Sequence, residues 1–240
     1  MGFIEFNFAL LQIKNYYFAF KIHRLILFLD KKNNPVFNYS KMDQEIKSVA
    51  IELFYQMGIK KVKMDIIAQK LKISKRTIYE HFRNKETLIR KAIDLNQEEQ
   101  NVIYRKILNE SENIIEAVVK LLKYGSELLS NTNPLYFSDL QRLYPSIWNE
   151  KITQSKKYTC ELILDLLKKG KQEGVYRQDI NEEIIALILI EQLYMLTDGK
   201  HFHAGKFSII EIYENIIISM TRGVATEKGL QLLENYRNPV

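Results

Sequence analysis

The strongest periodicities along this chain are helical. Ile46, Val49, Ala50, Leu53 and Phe54 keep the i, i+3, i+4 spacing of one helix face, and Gly58 stands where a left-handed residue ends such a helix. Ile66, Ile67 and Leu71 continue the pattern in a second helix, with Ala68 small enough for a close crossing. Ser74 is placed to cap a third by accepting a backbone N–H two or three residues on. That third helix needs only Ile78 and Phe82 on its inner face. Asn84 caps a fourth, predicted to run to about Leu108, with Glu86 in its positive first turn. Helices are expected next over Ser111 to Ser130, Leu135 to Tyr144, and Trp148 to about Lys171. Asn131-Thr132-Asn133-Pro134 and Pro145 break the chain between them, and Gly174 to Asp179 is a polar connection.

The last two expected helices differ in kind. Ile184 to Thr197 is apolar nearly all round, and Ile209 to Met220 nearly so. A helix apolar on every face must be buried on every face. Packing against the same pair in a second copy achieves this most simply, through Ile184, Ile188, Glu191, Ile210, Tyr213 and Ile217. The alternative is that both helices are central in a monomeric core. No alternating strand pattern occurs, and 9 Gly and 4 Pro in 240 residues leave few breakers, so the expected class is all-α.

Charge locates the chemistry. Residues 41–91 hold thirteen Lys and Arg against six Asp and Glu, while residues 92–240 carry a slight acidic excess. A basic head on an acidic body is the footprint of phosphate binding at one end. Within that head the third helix turns Lys75, Arg76, Thr77, Tyr79 and His81 outward, a basic, hydroxylic and aromatic surface suited to a DNA major groove. The order helix, Gly stop, helix, turn, helix, capped helix resembles the N-terminal domain of the TetR family of one-component repressors. The residues that carry the likeness are Ala50 to Phe54, Gly58, Ile67-Ala68, Ile73-Ser74-Lys75, Thr77-Ile78-Tyr79, His81-Phe82 and Lys85-Glu86. One departure is Lys72, where the family often has Gly; a side chain in a left-handed turn costs on the order of 1 kcal/mol.

The resemblance implies a helix-turn-helix domain over residues 41–93 and a helical effector-binding and dimerisation domain over residues 94–240. It also implies a homodimer on a palindromic double-stranded operator, released by a small-molecule ligand. Expected DNA contacts are Lys63, Met64, Ser74, Lys75, Arg76, Thr77, Tyr79, His81 and Lys85, with Arg76 the best candidate for reading a guanine and Lys85 for a phosphate. A mostly apolar pocket is expected in the body, drawing on Tyr124, Phe137, Tyr144, Trp148, Tyr158, Gln192 and Met195. The runner-up is a DNA-binding accessory protein without a ligand.

Residues 1–40 lie outside this likeness. They are densely apolar but interrupted by Lys14, Lys21, His23 and Arg24, so no run nears the roughly 20 uncharged residues that span a bilayer. The segment reads as translation from a start upstream of Met42 or as an extra helix, with membrane association a distant third, and Lys31 to Pro35 as a linker. The single Cys160 excludes an intramolecular disulfide and a Cys-based zinc site, which fits the cytoplasm. His201-Phe202-His203 reads as a solvated loop, and Glu182-Glu183 as carboxylates at a helix start. With no phosphate-cradling Gly loop and no nucleophile elbow, neither an enzyme, a metal nor a cofactor is expected.

Overall fold

The computed structural model describes residues 35–198 and 206–237; the HxH pair and most of the N-terminal segment lie outside them. The described helices are α1 (Pro35–Met57), α2 (Met64–Leu71), α3 (Lys75–His81), α4 (Lys85–Asn109), α5 (Ile114–Ser130), α6 (Leu135–Leu143), α7 (Pro145–Gln172), α8 (Glu182–Asp198), α9 (Ile209–Val224) and α10 (Glu227–Arg237). Among the described residues the only β pairing is an isolated antiparallel bridge between Tyr176 and Ala225.

The Gly58 stop and the Ser74 and Asn84 caps are realised atom by atom, whereas α5 starts at Ile114 rather than Ser111 and α7 at Pro145 itself, which opens that helix instead of preceding it. Gly58 closes α1 with φ +79°, its N–H bonded to the Phe54 carbonyl. The Ser74 and Asn84 side chains accept from the backbone N–H of Thr77 and Thr87 at 3.0 and 2.8 Å. Each satisfies a donor that a helix start leaves open. Lys72 adopts φ 57°, ψ 39°, the one non-Gly residue with positive φ among those described. The N–H of Lys72 and Ile73 reach back to the Gln69 and Ala68 carbonyls, a Schellman closure that holds the strained residue in place.

Two cores result. The first joins α1–α4 around Ile46, Ala50, Phe54, Ile67, Ile78 and Leu88, all fully buried, and takes in Tyr136 and Leu140 of α6 and Ile147 of α7. The second joins α5 and α7–α10 around Ile115, Leu167, Val175, Ala186, Val224 and Leu233. Helix α10 is missed by the sequence reading. Its two buried anchors, Gly229 and Leu233, are too few to set a periodic stripe, and a Cβ on Gly229 would collide with the Val175 carbonyl.

The pair α8 and α9 corrects a second expectation. Helix α9 is not apolar all round: Glu211, Asn215, Ser219 and Arg222 face outward, while Tyr213 and Ile217 turn into their own protomer. Helix α8 buries Ala186 and Ile190 but leaves Ile184, Leu187 and Ile188 about half exposed. Glu191 is tied to Lys156 at 2.7 Å, and Ile210 is half-buried.

Candidate nucleic-acid interface and body cavity

Helix α3 presents its first turn and a half to solvent. Its N-cap hydroxyl is engaged with Thr77, whose own hydroxyl lies 2.8 Å from the Ser74 oxygen. Lys75 reaches Asp65 of α2 at 2.9 Å, so its ammonium stays above the usual lysine range and the Asp65 carboxyl below the usual carboxylate range. Arg76, 88% exposed, pairs only with Glu80 one turn on, at 3.0 Å. Such an exposed i, i+4 pair is worth about 0.3–0.5 kcal/mol and is readily exchanged for a stronger partner. Tyr79 is exposed beside it, and Lys63 is exposed at the start of α2.

Three expected DNA contacts face elsewhere. The His81 side chain is 6% exposed, and its Nδ1 lies 2.9 Å from Asp43, tying the end of α3 to α1. Met64 is buried in the head core, since the first residue of α2 points inward where the helix meets α1. Lys85 curls back over the Phe54 ring and donates to the Ile59 carbonyl at 2.6 Å. Burial there holds its ammonium below the usual range. Conversely, Lys60, Lys61 and Arg83 are exposed around the same end of the head and were not singled out. Their only sequence signal was the local charge excess.

The loop before α2 is gripped from the body as well. Asp139 of α6, nearly fully buried, accepts the Lys60 backbone N–H at 2.7 Å. A Cβ on Gly58 would stand 2.9 Å from that of Leu135, so only glycine lets α6 come this close. Asn133 adds a second joint, its backbone N–H donating to the Tyr55 carbonyl at 2.7 Å and its side chain to the Gln56 carbonyl.

The opposite side of α6 faces a partly open cavity of about 400 Å³ lined mostly by the body helices, with Tyr55 of α1 at its edge. Helix α4 lines it along a stripe of Ile93, Asn96, Gln97, Gln100 and Tyr104, and α6 contributes Tyr136, Phe137 and Leu140. Of the residues expected there, Phe137 and Trp148 line it. Tyr124, Gln192 and Met195 are partly exposed and lie outside the lining; Tyr124 instead stacks edge-on against Tyr104. Tyr144 packs on the head core, and Tyr158 opens into a neighbouring polar cleft between α4 and α7. The missed lining is mostly aliphatic, side chains that alone resemble core packing, and it includes the tyrosines Tyr55, Tyr104, Tyr176 and Tyr213. Burial keeps them protonated, with Tyr104 pushed up to about 12 by burial and by Tyr194 and Tyr158, and Tyr136 and Tyr213 raised further.

A basic, capped helix-turn-helix on a hollow helical body is the architecture of a transcriptional regulator. Residues 46–92 match the family model of bacterial regulatory proteins, tetR family. The HTH-type transcriptional regulator YvaF of Bacillus subtilis is 26% identical over 191 residues, covering 78% of this chain and 97% of that protein. The HTH-type transcriptional repressor KstR2 of Mycobacterium tuberculosis is 22% identical over 144 residues, 59% of this chain and 72% of that one. The fold matches a transcriptional regulator of Cytophaga hutchinsonii (TM-score 0.62, 20% identity, 76% of this chain and 98% of that one). It matches equally a TetR-family regulator of Agrobacterium tumefaciens (TM-score 0.62, 14% identity, 78% and 100%). Residues 46–92 thus form a DNA-binding domain of the TetR type, on a chain that resembles transcriptional regulators over most of its length. No described helix is long and apolar enough to cross a membrane.

Proposed function

We propose that the protein is a homodimeric cytoplasmic repressor whose two heads read the half-sites of a palindromic operator and let go when a small molecule fills the body cavity. The observation that carries this reading is the double role of α6: Asp139 holds the loop before the helix-turn-helix while Tyr136, Phe137 and Leu140 line the cavity. A ligand that displaces those three side chains moves the clamp on the head, and α4, lined along five positions, carries the same displacement into the head core. Such coupling requires the ligand to favour one arrangement over the other. Sequence would be read by Arg76 and Thr77, with Lys63, Lys75 and Tyr79 on the phosphates. Ser74 serves as the cap that orients them.

The dimer rests on Ile184, Leu187 and Ile188, three large aliphatics spaced along one face of α8 and left half bare by the protomer. The repressor relative from M. tuberculosis supports the sign of regulation. Selecting random-sequence DNA fragments on the purified protein and sequencing those retained tests the reading. An inverted repeat is expected; retention without any shared motif would leave a DNA-binding accessory protein in its place.

A further inference from the structure

We infer that Glu80 is a specificity-determining residue of the DNA interface. It holds the Arg76 guanidinium at Nε, leaves the terminal fork for a guanine, and cancels the charge that would otherwise carry Arg76 to a phosphate. The inference rests on the reading of Arg76 as the residue that recognises a base.

The pair is poorly explained as support for the helix. Arg76 stands at i and Glu80 at i+4, the weaker order for such a pair. Glu80 also lies in the last turn of the seven-residue α3, where a carboxylate meets the negative end of the helix dipole. Both side chains are more than half exposed, so the bond between them contributes little to folding. A carboxylate on the face that meets a polyanion opposes binding as well. What Glu80 does is done through Arg76.

The atoms engaged say how. Glu80 Oε1 accepts from Nε at 3.0 Å, and Arg76 makes no other hydrogen bond among the described residues. The four N–H groups on the terminal nitrogens remain, and two of them side by side match the O6 and N7 acceptors of guanine. Guanine is thus bound with the ion pair intact. A phosphate draws instead on the net charge of the arm, which beside Glu80 is close to zero. Taking the guanidinium over would strand the carboxylate next to the DNA backbone. Lys75, the other cation at the start of α3, is matched to Asp65 in the same way, at 2.9 Å. Attraction to DNA of any sequence is left largely to Lys60, Lys61, Lys63 and Arg83, exposed at the same end of the head. Specificity is a difference of affinities, and weakening the wrong complex raises it as surely as a contact in the right one.

The test measures binding of the full-length protein, over a range of salt, to the selected operator, to operators with each base pair replaced in turn, and to random DNA. Glu80→Gln keeps an oxygen that can accept from Nε but removes the charge. It is expected to bind random DNA about two- to fivefold more tightly per head, with a salt slope steeper by about one unit per head, and still to prefer guanine opposite Arg76. Glu80→Ala should show the same rise and lose most of that preference, because nothing then holds Nε. A gain on random DNA is not a result that a damaged fold produces. Unchanged random-DNA affinity and salt slope in both variants overturn the assignment. So does a loss of operator affinity in Glu80→Gln without a gain on random DNA, which would make the carboxylate itself an acceptor for a base. Arg76→Ala on the same duplexes separates the two levels. If it erases a preference at one base pair while the Glu80 variants behave as wild type, Arg76 reads that base without Glu80. If it weakens every duplex alike, the reading of Arg76 falls and the role of Glu80 with it.

Discussion

Arg76 and Lys85 show how far one side chain's environment decides its task. Arg76 sits on the open face of α3 with only a solvent-exposed partner, so its guanidinium is free to span the two major-groove acceptors of a guanine. Arg76→Ala is expected to cost about 1–3 kcal/mol on the selected operator and to relax preference at one base pair, read by gel shift against a base-substituted set. Equal weakening on operator and random DNA would make it a phosphate contact instead. Lys85 was legible in the sequence as a cation and nothing more. Its 2.6 Å bond to the Ile59 carbonyl makes it a brace, because the long stem can turn back across Phe54 where a sequence pattern records only the charge. Lys85→Met is therefore expected to destabilise the head by about 1–3 kcal/mol through the abandoned carbonyl, measured by thermal unfolding. The salt slope of DNA binding should stay nearly unchanged. Lys72 presents the reverse case, a side chain whose strain the sequence did reveal. At φ 57° it holds a conformation that glycine adopts freely. Lys72→Gly should stabilise the protein by up to about 1 kcal/mol, partly offset by the freer unfolded chain.

At the scale of elements, caps and stops were readable and faces were not. Ser74, Asn84 and Gly58 act through the backbone within three or four residues, so their roles follow from local sequence. Which way His81 or Tyr213 turns depends on α1 or α5 packing against it from far along the chain, and no local rule carries that. Helix α6 is the clearest instance. Its sequence predicts a short aromatic helix, but its importance comes from standing between two other parts, with Asp139 on the head loop and Tyr136 against Tyr55 at 4.7 Å between ring centroids. Asp139→Ala removes the acceptor of the Lys60 N–H and should lower stability by about 1–3 kcal/mol. It should also leave operator affinity within a few-fold of wild type while blunting the response to any cavity ligand. A variant that binds operator normally and still responds fully would locate the coupling in α4 alone.

For the whole molecule, the consequential surface is the one a single protomer leaves unfinished. The sequence singled out α8 and α9 together because both are rich in aliphatics, but the structure divides them. Ile217 lines the protomer's own cavity, whereas Ile184, Leu187 and Ile188 are 54, 58 and 45% exposed. Three such side chains at i, i+3 and i+4 cost little to leave bare singly, yet together they form the apolar patch that an isologous partner would cover. The two helices therefore predict different failures. Ile217→Glu places a carboxylate against an uncharged wall and should unfold or swell the protomer, seen as a lower thermal midpoint at any protein concentration. Ile188→Glu puts the charge where one protomer alone exposes it to water. The folded protomer should survive with a normal circular-dichroism spectrum, sediment as a monomer, and bind a single half-site far more tightly than it binds scrambled DNA. Its affinity for the full inverted repeat should fall at least tenfold, because the second head would no longer be held in place by the first. An Ile188→Glu protein that still sediments as a dimer and keeps full operator affinity would move the interface off α8.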